Sequence, residues 1–119
     1  MKREIIRIEN GIVCIPQFVD VWMTQHELAN LFGCFVSKVN SNIRSILKSG
    51  VLSEADVCRT CHYQNGSFVE VYSLEVIIAL SFHIQSRNAE IFRGWITRKL
   101  TKSEIPGMLI QSIQNPILN

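Results

Sequence analysis

No stretch of this sequence strings together the ~18 apolar residues that a membrane-spanning helix needs. Its opening, MKREIIRIENG, alternates and turns too early to form the apolar centre of a secretory signal. Internal repeats and low-complexity segments are missing as well. A cytoplasmic chain without membrane partners is therefore expected, in which Cys14, Cys34, Cys58 and Cys61 stay reduced.

Chemistry-bearing clusters are equally scarce. His26, His62 and His83 are scattered, and no serine or cysteine stands in a context that would activate it as a nucleophile. Cys58-Arg59-Thr60-Cys61-His62 spells the string used for haem attachment, but that chemistry needs export, and no signal peptide is read here. Zinc needs four ligands, and no second Cys/His pair has suitable spacing. A redox dithiol wants a helix after its first cysteine, whereas the pattern here continues as a strand. The expectation is no enzyme, no cofactor, no metal and no small-molecule substrate.

Acidic charge is absent locally rather than globally. The formal net charge of +2 is too mild to prescribe a nucleic-acid partner, so the distribution matters more. From Phe35 to Gly50 the chain carries Lys38, Arg44 and Lys48 and no acid. From Ser86 to Lys102 it carries Arg87, Arg93, Arg98, Lys99 and Lys102 against Glu90 alone. The bland reading of both runs is an ordinary solvated helix face.

What is present fits one globular α+β domain. A length of 119 residues suits a single core, and 47% apolar with 18% charged residues argues for a packed chain. Residues 3–8 alternate, Glu9-Asn10-Gly11 supplies a tight turn, and Ile12 onward returns as a strand that stops at Pro16. A third extended piece, residues 19–23, leads into helices, and the opening reads as a small sheet sealing one side of the domain.

Thr24 to Glu27 spells a capping box, followed by Leu28, Leu31 and Phe32 at helical spacing. Gly33 is suited to end that helix in the left-handed conformation. Residues 37–49 are again helical, with Val39, Ile43, Ile46 and Leu47 in one stripe. Residues 57–63 and 67–72 are strand-like around Asn65-Gly66, a signal for a two-residue hairpin. Ser73 is expected to cap a nearly all-apolar helix over 74–85, and a last helix over 89–100 carries Phe92, Trp95, Ile96 and Leu100 on one side.

A small residue (Ala29), a glycine four positions on and Val39 six after that make the spacing of a helix-turn-helix. Two helices then cross tightly and share a core while the second turns its other face outward. Steps of ~100° place Ser37, Lys38, Ser41, Arg44, Ser45 and Lys48 on that outer face. Ser41 and Arg44 are the candidates for base edges; Lys38, Lys48 and Arg59 are the candidates for phosphates. Phe35 and Val36 fall at or beside the core side and are expected to pack. Trp22 and Trp95 read as core anchors.

Val21-Trp22-Met23-Thr24-Gln25, Glu27-Leu28-Ala29, Leu31-Phe32-Gly33 and Val57-Cys58-Arg59 resemble the virulence protein RhuM family. So do the hairpin, Tyr72-Ser73-Leu74-Glu75-Val76-Ile77-Ile78 and Phe92-Arg93-Gly94-Trp95, in collinear order over residues 21–100. The last part is also similar to the Phe-Arg-x-Trp helix of Bro- and KilA-type phage antirepressor N-terminal domains. Phe35 and Val36 depart from the family, which tends to place a cap and then an arginine there. The resemblance implies a DNA-binding domain of bacterial or phage origin.

These readings converge on a helix-turn-helix with a β-hairpin wing, an N-terminal β-hairpin and two further C-terminal helices. Residues 1–103 form the expected winged-helix-like domain, and 104–119 a docking or dimerisation tail. The expected partner is double-stranded DNA, bound by a transcriptional regulator through its second helix. Two-fold binding would require a homodimer, with Met108 to Leu118 as the self-association element. The competing expectation is an antirepressor-like protein-interaction module without a DNA grip.

Overall fold

The computed structural model describes residues 4–17 and 20–102. The tail assigned above to docking or dimerisation, and Val19 of the third extended piece, lie outside the described residues.

Strands β1 (Arg7–Glu9) and β2 (Ile12–Cys14) pair antiparallel, with Glu9 opposite Ile12. Asn10 and Gly11 between them both take positive φ, 53° and 75°, the two-residue turn whose twist matches the strands. The opening does not form one sheet. Strand β3 (Trp22–Thr24) leaves this hairpin and pairs with β5 (Phe68–Ser73), which also pairs with β4 (Cys58–His62), giving the order β3-β5-β4. Trp22 stands opposite Ser73 and Thr24 opposite Val71, a pairing across a long stretch of chain that no local pattern announces.

Helix α1 (Gln25–Phe32) is too short to persist alone, and its ends are fixed by side chains and by glycine. Thr24 Oγ1 accepts from Glu27 N at 3.1 Å while Thr24 N donates to Glu27 Oε1 at 2.8 Å. Gly33 closes the helix at φ 67°, ψ 46°, and its N–H donates to Ala29 O, as does that of Cys34 at 3.0 Å. Helix α2 (Val36–Lys48) follows directly and buries Val39, Ile43 and Ile46. A single turn, α3 (Glu54–Val57), leads into β4.

The β4–β5 connection is one residue longer than the Asn-Gly pair predicts. Tyr63 N donates to Ser67 O at 2.9 Å and Gly66 N to Tyr63 O at 3.1 Å, leaving Gln64, Asn65 and Gly66 as a three-residue loop. Gly66 takes φ 91°, the left-handed residue that such a loop requires. Asn65 Oδ1 accepts from Ser67 N at 3.0 Å, which holds the turn from the side-chain end.

Helix α4 (Leu74–Ser81) stops four residues short of the expected 85, because Phe82 and His83 tighten into i→i+3 turns. Helix α5 (Arg87–Lys102) begins earlier than expected: Ser86 caps it, its Oγ accepting from Ala89 N at 3.1 Å. Asn88 Nδ2 donates to Leu31 O at 2.8 Å, tying the start of α5 to the carbonyl end of α1. Arg93 serves α4 in the same way, donating to Ser81 O and Ile84 O.

One core unites these elements. Phe32 of α1 meets Phe92 of α5 edge to face at 5.7 Å, and Trp95 leans on Phe92 from its half-buried position. Met23, Tyr72, Ile43 and Ile77 close the same cluster from the sheet, α2 and α4. Among the described residues no helix is long and apolar enough to cross a membrane.

Candidate nucleic-acid interface

Helix α2 has two chemically distinct sides. The inner one is held by Val39, Ile43 and Ile46, with Val36 and Leu47 partly covered. On the outer side Ser37, Lys38, Ser41, Arg44, Ser45 and Lys48 are all exposed, and the helix contains no acidic residue. None of these side chains is hydrogen-bonded or ion-paired among the described residues. Their donors are therefore available to a ligand.

The start of α2 is also open. Phe35 occupies the N-cap position in extended backbone (φ −76°, ψ 149°) and makes no side-chain cap; Lys38 N donates to Phe35 O at 3.0 Å, and the N–H groups of Val36 and Ser37 keep their donor capacity. Its ring is 82% exposed, against the expectation that it packs. The helical angle count fails at this residue because the helix begins one residue later. Val36, inside the helix, does lie against the core.

One flank of α2 is anchored to the sheet by a polar chain. Gln25 Nε2 donates both to Asn40 Oδ1 of α2 at 3.2 Å and to Tyr72 Oη of β5 at 3.1 Å. The Tyr72 hydroxyl in turn donates to Glu70 Oε1 at 3.1 Å. Burial raises the Tyr72 phenol above its ordinary pKa, Gln25 opposes that shift, and the nearby Glu70 carboxylate adds to it. The phenol thus stays a hydrogen-bond donor at neutral pH. Nothing in the sequence pointed to Gln25 and Tyr72 together, since 47 positions separate them.

Arg59 is not brought to this face. Alternation on β5 puts Tyr72, Glu70 and Phe68 on the side of the sheet that meets Gln25, and Val71 on the other. Arg59 stands opposite Val71, and its guanidinium carbon lies 4.0 Å from the centre of the Trp22 ring. Trp22 is therefore half-buried under an arginine rather than a core anchor.

Cys58 and Cys61 sit three positions apart on β4 as free thiols, one on each side of the strand. Burial, with the Glu54 and Glu70 carboxylates adding to it, pushes the Cys58 thiol up to about 11. A thiol so held is a poor nucleophile at neutral pH. Among the described residues no group of three His, Cys, Asp or Glu side chains is placed to hold a metal ion.

The chain matches no family model, no curated protein and no solved structure in comparisons with known proteins.

Proposed function

We propose that this protein is a double-stranded DNA-binding domain of the helix-turn-helix type, a transcriptional regulator of the kind the RhuM resemblance implies. In this reading α1 and α2 are the two helices of the motif, and α2 enters the major groove. The β4–β5 hairpin is the wing. The observation that carries the proposal is the outer face of α2: cationic and hydroxyl-bearing, free of acid, exposed along its whole length and unclaimed by any neighbouring side chain among the described residues. A helix of 13 residues is about 20 Å long, enough to lie along a groove and present Ser37, Ser41 and Arg44 to successive base pairs.

Within this reading Ser41 and Arg44 address base edges, and Lys38 and Lys48 hold phosphates on either side. The uncapped start of α2 offers backbone N–H groups to a further phosphate. Arg59, whose guanidinium is stacked on Trp22, is set aside as a phosphate ligand.

Binding of the full chain to mixed duplex DNA over a range of salt concentrations tests this. Affinity should fall steeply with salt, and Arg44→Ala with Lys48→Ala should weaken binding and reduce the log–log slope by about 0.9 for the Lys48 phosphate contact removed. Salt-indifferent retention, equal for both proteins, would sink the proposal. The antirepressor-like alternative draws on the bare ring of Phe35 at the head of α2. It predicts that outcome, together with apolar capture of a protein partner.

A further inference from the structure

The β4–β5 hairpin has no electrostatic means of holding a duplex. Between Cys58 and Ser73 its one Lys or Arg is Arg59, which stacks on Trp22 on the side of the sheet away from Gln25. What the outer hairpin offers instead is aromatic. Phe68 is 66% exposed and Tyr63 49% exposed, and the exposed His62 sits directly opposite Phe68 with ring centroids 5.9 Å apart. Holding a phenylalanine in water at this position gains the isolated fold nothing.

Position supplies the occupant. Phe68, Glu70 and Tyr72 alternate on one face of β5, and Tyr72 is joined through Gln25 to Asn40 of α2. The aromatic tip is thus continuous with the flank of α2, about 13 Å further along the strand. Half a turn of B-DNA, the step from a major groove to its neighbouring minor groove, is about 17 Å. A helix seated in the major groove would bring the hairpin tip to the adjacent minor groove, where apolar side chains unstack base steps.

We infer that the hairpin tip wedges Phe68, backed by His62, into a base step of the minor groove flanking the α2 site, opening that step and bending the duplex. The inference rests on the DNA-binding reading and adds how the wing contributes: through stacking and deformation, with no phosphate contact of its own. Flexible pyrimidine–purine steps beside the α2 site are then preferred, since they are the easiest to open. The cross-strand ring contact pre-sets Phe68, so little freedom is lost on insertion.

The test uses the full chain and a duplex of roughly 25 base pairs with central TA steps, in which 2-aminopurine replaces one adenine. Saturation with the natural protein should raise the 2-aminopurine fluorescence severalfold. Phe68→Ala should abolish that rise and weaken binding about tenfold, with the salt slope unchanged. Phe68→Leu, which keeps an apolar wedge, should restore most of both. A saturated duplex with flat fluorescence overturns the wedge and leaves the DNA reading intact. So does a Phe68→Ala protein that binds and unstacks as the natural one does. Absence of binding by the natural chain at the lowest salt overturns both readings together.

Discussion

Helix α2 and the β4–β5 hairpin are linked through Gln25 of α1, yet they expose opposite chemistries. The helix presents cations and hydroxyls with no partner among the described residues; the hairpin presents rings, and its arginine already has a partner. Exposure alone therefore does not identify a DNA ligand, since Arg59 and Arg44 are both exposed. What separates them is where the charge is already spent. A guanidinium on an indole face has part of its interaction satisfied within the fold, at about 0.5–1 kcal/mol for an exposed pair.

The largest expected effect falls on the helix. Arg44→Ala with Lys48→Ala should cost at least tenfold in affinity near 0.1 M salt and, through the lost Lys48 phosphate contact, remove about 0.9 units of salt slope. Both side chains are exposed, so the unfolding midpoint should stay within about 0.5 kcal/mol of the natural protein. If the same double change left the slope intact, the contrast between the two surfaces would lose its meaning.

Next in size is the link between them. Gln25→Ala removes two donated hydrogen bonds and leaves Asn40 and the Tyr72 hydroxyl to find other partners. Two such bonds are worth about 1–3 kcal/mol together. Because the wing is then held to α2 by packing alone, binding to a selected duplex should weaken several-fold more than binding to random DNA. Equal weakening on both would show that Gln25 is merely a stabilising residue.

Much of the helix was legible in the chain of letters, and little of the hairpin's surroundings was. Thr24, Glu27 and Gly33 mark the ends of α1 through contacts that span three or four residues, and the outer face of α2 follows from a 3.6-residue period. Asn10-Gly11 likewise specifies its own turn. Which side of β4 Arg59 occupies depends instead on β3 joining β5 and on which face the helices cover, both set by distant residues. A helical count carried to Phe35 misplaces it, since α2 begins at Val36, and apolar residues that continue past Ser81 make 74–85 look like one helix. Asn-Gly predicts a β4–β5 turn one residue short because the pair fits either loop length until the register is fixed.

Smaller still is the effect expected of Arg59→Ala. Loss of the stack on Trp22 should lower stability by about 0.5–1 kcal/mol and leave the salt slope of DNA binding where it was. A slope reduced by almost one unit would mean that Arg59 leaves Trp22 to meet a phosphate, and the hairpin would then resemble the helix after all.

The last effect, absent at neutral pH, concerns the residue next to Arg59. Cys58 lies on the opposite side of β4, its side chain half-covered at the edge of the core. In the fold its thiol holds its proton up to about 11, chiefly because burial disfavours the thiolate, whereas in the unfolded chain it releases it near 9.0. Between those values the unfolded state binds fewer protons than the folded one, so stability declines as pH rises through that window. Below it both states are protonated and the term is constant. Urea midpoints measured on either side of the window should therefore fall further for the natural protein than for Cys58→Ser. Parallel decline of the two would mean that Cys58 ionises freely, and that the hairpin base is as open to water as its tip.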